Sequence, residues 1–124
     1  MMQRLVRVLV IEDDATIQQT VAEVLREEGY LVDVATHGGE ALDAARRAWP
    51  DVILLDLNLP VMDGWQFREA LLSIEGGGSA KLILMTADNA AADKARRLGA
   101  CAFLEKPFDL NQMLAVVCSV ADSA

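Results

Sequence analysis

The sequence predicts a doubly wound α/β domain, one sheet of five parallel strands with helices on both faces. Apolar runs of strand length recur along the chain, and between them lie segments whose apolar residues repeat at helical spacing. The third run, residues 52–55 within "DVILLD", is continuously apolar rather than alternating, as expected for a parallel strand covered on both faces.

The elements follow in order. A first strand at residues 5–11 runs straight into Glu12, Asp13 and Asp14. The first helix places Ile17, Val21, Val24 and Leu25 on one face and stops at Gly29. A second strand, residues 31–35, precedes a helix with a small-residue face of Ala41, Leu42, Ala45 and Ala48, ended by "WPD". After the third strand, a helix starts near Gly64, carries Phe67, Leu71 and Leu72, and is broken by "EGGGS". "EGGGSA" is expected to be the most flexible connection, yet it is too short to separate domains. The fourth strand covers residues 82–85 and its helix residues 89–98, with Gly99 as the stop. A weaker fifth strand, residues 102–104, leads to a last helix from Leu110 to about Ala121, with Asp109 as N-cap. Strict alternation of strand and helix implies right-handed crossovers. No internal repeat or linker is visible.

At 124 residues the chain is long enough to bury a core without disulfide or metal staples. Hydrophobic residues make up 53% and charged residues 24%, the balance of a folded chain. No apolar run approaches the ~20 residues that span a bilayer. "MMQRLVRVLVIEDD" ends its apolar run in acids and has no small-residue cleavage site, so it does not read as a signal peptide and a cytoplasmic location is expected. The net charge of −8 repels phosphate backbones and argues against direct nucleic-acid binding. Cys101 and Cys118 form no CxxC pair and read as small buried hydrophobes in a reducing compartment. His37, in "THGGE", reads as a solvated loop residue.

In such a sheet, ligands bind outside the carboxyl ends of the strands. The residues there are Glu12, Asp13 and Asp14, then Asp56, Thr86 and Lys106. Each alone has an ordinary role: an aspartate there more often caps a helix, Thr86 caps the fourth helix, and a lysine before proline is usually solvated. Together they supply what phosphoryl transfer to a carboxylate needs. Clustered carboxylates hold Mg²⁺ (or Mn²⁺), a hard cation that takes oxygen ligands and relieves their repulsion. One carboxylate attacks phosphorus and becomes an acyl phosphate, while an ammonium and a hydroxyl partner the phosphoryl oxygens.

"VLVIEDD", "ILLDLNLPVMDG", "LILMTA" and "FLEKPF", in this order, resemble the response-regulator receiver family, the phosphoacceptor modules of two-component signalling. The likeness covers essentially the whole chain. It implies a flavodoxin-like strand order of 2-1-3-4-5. It also implies that Asp56 is the phosphoacceptor, Lys106 the phosphate-contacting lysine with a cis bond to Pro107, Thr86 the switch hydroxyl and Phe103 the switch aromatic. The backbone carbonyl of Asn58 is implied as a metal ligand. Family members place the second acid of the metal-binding pair four residues before the first buried residue of helix 1. Counting back from Ile17 gives Glu12 and Asp13 as the pair and leaves Asp14 as an N-cap, although a one-residue slip exchanges Glu12 for Asp14. The implied partners are a histidine kinase or histidine phosphotransfer protein and an unidentified downstream effector, which reads the surface of helix 4, strand 5 and helix 5. No turnover substrate is expected beyond the chain's own phosphorylation and autodephosphorylation.

Residues 1–124 are expected to form a single receiver domain with no effector domain, either free-standing or belonging to a larger or hybrid protein. The fourth and fifth helices lack the aspartate-tyrosine step and basic last helix of typical winged-helix transcription factors. Two other readings stand beside this one. A haloacid-dehalogenase-like phosphatase also uses an aspartyl phosphate, but wants its nucleophile after the first strand and a second aspartate where "DLN" offers Asn58. A receiver-like interaction module that is never phosphorylated usually loses the acceptor or the acids, all of which are kept.

Overall fold

The computed structural model describes residues 5–59, 62–74 and 77–122. Five strands alternate with five α-helices: β1 (Arg7–Ile11), α1 (Ala15–Glu27), β2 (Leu31–Ala35), α2 (Gly38–Arg47), β3 (Val52–Asp56), α3 (Gly64–Leu72), β4 (Lys81–Thr86), α4 (Ala91–Leu98), β5 (Ala102–Glu105) and α5 (Leu110–Asp122). All strand pairs are parallel, in the order β2-β1-β3-β4-β5. The expected break at "EGGGS" falls partly on Glu75 and Gly76, and "MMQR" on residues 1–4, which lie outside the described residues.

Alternation along the strands sorts the core into two layers. Leu9, Ile11, Ile53, Leu55, Leu82 and Leu84 face α2, α3 and α4, where Phe67 and Leu71 are fully buried. Val8, Val10, Val52, Leu54, Ile83 and Met85 face α1 and α5 and pack with Val21, Leu25, Met113 and Val117. Every residue of β3 is buried, which explains its unbroken apolar sequence. Consecutive crossovers from β1 and β3 therefore leave on opposite faces, opening a crevice between their carboxyl ends.

The helix ends follow local chemistry. Asp14 caps α1, its side chain accepting from the Ile17 N–H at 3.0 Å. His37 is exposed, as expected, and also caps α2 by accepting from the Glu40 N–H. Asp63 and Gln66 form a reciprocal capping box on α3. Asp109 accepts from the Asn111 N–H before α5. Gly29 and Gly99 take φ of +96° and +80° at the ends of α1 and α4, which a Cβ would disfavour.

Three expectations need correction. The fourth helix begins at Ala91 rather than residue 89, because Ala90 adopts φ +60°, outside the helical region. The first strand begins at Arg7, with Leu5 60% exposed beyond it. Neither cysteine is a buried hydrophobe. Cys101 is exposed because it sits in the bend between α4 and β5, before the strand's covered faces begin, and Cys118 is half-buried on α5 with its Sγ 3.2 Å from the Tyr30 hydroxyl.

Gly64 couples the fold to the sheet's carboxyl edge. Its N–H donates to the Leu57 carbonyl at 2.9 Å, and a Cβ there would stand 3.0 Å from Leu57 Cα. The two nearest atoms are Leu57 backbone, so that backbone must shift by a few tenths of an ångström to admit a methyl group. Gly64→Ala is expected to destabilise the protein by about 1–3 kcal/mol, the scale of overpacking, and to displace the turn after Asp56. Urea denaturation with amide shifts at residues 56–58 checks it; unchanged stability and shifts would show that the contact relaxes freely.

Candidate functional site

Parallel registration brings the ends of β1, β3, β4 and β5 to one rim. Asp56 and Thr86 are the last residues of β3 and β4, and Glu12 and Lys106 directly follow β1 and β5. Backbone bonds fix these ends: Glu12 N–H to the Ala35 carbonyl, Leu57 N–H to Met85 and Lys106 N–H to Thr86. The Lys106–Pro107 bond is cis.

Lys106 Nζ donates to Glu12 Oε1 at 2.5 Å and stands 3.4 Å from Asp56 Oδ2. Glu12 is fully buried, Asp56 nearly so, and Asp13 exposed. One carboxylate oxygen each from Glu12, Asp13 and Asp56 lie within 4.8 Å of one another. Asp14, by contrast, is spent on its helix cap. Hard oxygen donors on three carboxylates, offset by one ammonium, fit a small hard divalent cation such as Mg²⁺. Asn58, the implied carbonyl ligand, follows Asp56 closely, and its N–H donates to Asp56 Oδ1 at 3.1 Å.

Thr86 is fully buried, and its Oγ accepts from the Asp88 N–H at 3.0 Å. It does not cap α4, which has no side-chain cap. Phe103 is half-buried on β5 against the α2–α3–α4 layer. Beside Lys106 an apolar cleft of about 420 Å³ opens between Ile17, Val21, Pro107, Phe108 and Leu110.

Two contributors escaped sequence reasoning. Gln18 is buried, and its side-chain Nε2 donates to the carbonyls of Glu12 and Ala35 at 3.0 Å, stapling the ends of β1 and β2. Its signal was a polar residue three positions before Val21 on the buried face of α1. Asp88 accepts from Asn58 Nδ2 and Lys94 Nζ, a tertiary arrangement that no local pattern announces.

Burial, reinforced by Asp56, raises the Glu12 pKa from 4.5 to about 7, while Lys106 and the Asp14 N–H oppose the shift. Burial also disfavours the Lys106 ammonium, but Glu12 and Asp56 outweigh it and its pKa rises. Because the folded protein holds the Glu12 proton more tightly than the unfolded chain, that stability is complete below pH 4.5 and is lost as pH rises through about 7. In EDTA, the stability of wild type relative to Glu12→Gln is expected to fall by on the order of 3 kcal/mol across this window. Parallel stability profiles for the two proteins would contradict the shift.

Residues 8–118 match the family described as the response regulator receiver domain. The transcriptional regulatory protein PcoR of Escherichia coli is 37% identical over 113 residues, covering 90% of this chain and 49% of that protein. The chain thus spans about half the length of the curated relatives it matches. Among solved structures, the chemotaxis response regulator CheY4 of Vibrio cholerae superposes with a TM-score of 0.87 at 32% identity, covering 94% of this chain and 99% of that one. The receiver domain of the sensor histidine kinase PA1611 from Pseudomonas aeruginosa, with a magnesium ion coordinated in its active site cleft, gives a TM-score of 0.85 at 28% identity, covering 97% and 100%. With its acidic rim, lysine and hydroxyl at the ends of a 2-1-3-4-5 sheet, the chain belongs to the response regulator receiver domains of two-component systems.

Proposed function

We propose that the chain accepts a phosphoryl group on Asp56 from the phosphohistidine of a histidine kinase or phosphotransfer protein. The observation that carries this reading is the position of Asp56, at the end of the wholly buried central strand, with Lys106 Nζ 3.4 Å from one of its oxygens. An Asp56 oxygen attacks phosphorus as the phosphorus–nitrogen bond breaks, and the bonding pair returns to the imidazole nitrogen. Lys106 meets the charge on the phosphoryl oxygens, and its long aliphatic stem is half-buried where it cannot easily withdraw. Mg²⁺ held by Glu12, Asp13, Asp56 and the Asn58 carbonyl supplies further neutralisation when bound.

The Thr86 hydroxyl accepts from the Asp88 N–H and keeps its own proton free to donate to a phosphoryl oxygen. As Thr86 turns toward Asp56, space opens beside β5 into which Phe103 rotates, changing the surface of α4, β5 and α5 that an effector reads. A phenylalanine makes that move without burying an unpaired hydroxyl. The apolar cleft beside Lys106 supports a protein donor, since apolar surface bordering a reactive rim is the kind that partners cover.

Acetyl phosphate or a phosphohistidine donor, with Mg²⁺, is expected to add one phosphoryl group per chain, labile to hydroxylamine. Asp56→Asn should abolish it, as read by intact mass. Labelling that persists in Asp56→Asn would move the acceptor elsewhere; a wild type that never labels would favour an interaction module.

A further inference from the structure

Asp88 sits two residues beyond Thr86, in the segment that joins β4 to α4. Its N–H donates to Thr86 Oγ at 3.0 Å. Its carboxylate accepts from Asn58 Nδ2 at 3.3 and 3.4 Å and pairs with Lys94 Nζ at 3.3 Å. Asn58 is tied in turn through its N–H to Asp56 Oδ1 at 3.1 Å. One residue therefore joins the loop after the acceptor, the switch hydroxyl and the first turn of α4.

We propose that Asp88, clamped between Asn58 and Lys94, is a positioning residue that holds Thr86 in its resting place and thereby limits phosphoryl capture at Asp56. This rests on the phosphoacceptor reading above. Thr86 Oγ travels toward Asp56 only by breaking its bond from the Asp88 N–H or by dragging residues 86–90 with it. The second route pulls the Asp88 carboxylate off partners fixed on two other elements. Ala90 marks the same segment as constrained: its φ of +60° is one that residues bearing a Cβ hold only where the surroundings impose it. The clamp on one side and the buried Ala91 and Ala95 of α4 on the other impose it here. Every bond lost on switching counts toward the resting state. It lowers the fraction of molecules competent to grip a phosphoryl group, and apparent affinity falls with that fraction.

Lys94→Met separates this clamp from simple electrostatics. Loss of a cation near an anion site weakens anion binding through the field alone, whereas loss of a clamp strengthens it. The ion pair is partly exposed, at 30% and 38% for its two side chains, so a modest effect is expected. With Mg²⁺ present, Lys94→Met should bind beryllofluoride about two- to fivefold more tightly than wild type, the scale of such a pair. In the unliganded variant, amide signals of residues 86–94 should move some of the way toward their positions in beryllofluoride-bound wild type. Unchanged or weaker binding by Lys94→Met, while wild type binds, overturns the clamp and leaves the acceptor intact. A wild type that binds no beryllofluoride overturns the phosphoacceptor reading and the clamp with it.

Discussion

Glu12 Oε1 lies 2.5 Å from Lys106 Nζ across 94 residues of chain, joining the end of β1 to the end of β5 around Asp56. The contact holds an ammonium against carboxylates that have lost most of their water, and the rest of the rim is arranged around it. Burial alone would make Glu12 costly in its charged form, and Asp56 adds to that cost. One lysine cannot balance three carboxylates, so the folded chain carries an electrostatic deficit at the rim. A divalent cation, as proposed above, would relieve it. On the proposed reading, the site would be preorganised for a cation by the repulsion among its carboxylates.

Rigid and yielding regions are separated along the same rim. β1, β3 and β4 are buried almost throughout, so Glu12, Asp56 and Thr86 are anchored by strands that cannot shift without opening the core. The segment between β4 and α4 is held differently, by partly exposed polar contacts and a left-handed alanine. Such a segment rearranges more readily than the buried scaffold beneath it, but only against the contacts that hold Asp88. On the function proposed above, a phosphoryl group on Asp56 would act through Thr86 and α4 rather than through the sheet.

Strand periodicity made most of the fold legible. Every strand matched its expected run to within two residues at either end, most plainly β3 and β4, which helices cover on both faces and whose runs are continuously apolar. The rim was legible for the same reason, because a parallel sheet aligns its strand ends and a polar residue after each run has one place to go. Asp14 is a cap while Glu12 and Asp13 stand in the acidic cluster. The count that separated them started from the wrong residue, however: Ile17 is only partly buried, and the first buried residue of α1 is Gln18, from which the same count reaches Asp14. Hidden features depended on tertiary placement. The left-handed turn at Ala90 has no glycine to announce it, and the exposure of Cys101 follows from the place of the bend before β5. The Asn58–Asp88–Lys94 contacts join three elements that only the folded sheet brings together.

Proton release on metal binding tests the charge scheme most directly. Burial holds the Glu12 proton to a higher pH than an ordinary carboxylate keeps it, and a divalent cation binding the three carboxylates must displace it. Calorimetric titration of Mg²⁺ in buffers of different ionisation enthalpy counts the protons released. Net proton release on Mg²⁺ binding is predicted near pH 7, diminishing as the pH rises and Glu12 loses its proton without metal, with the pH-7 release lost in Glu12→Gln. Binding heats at pH 7 that do not depend on the buffer would contradict a buried, proton-bearing Glu12 at the centre of the rim.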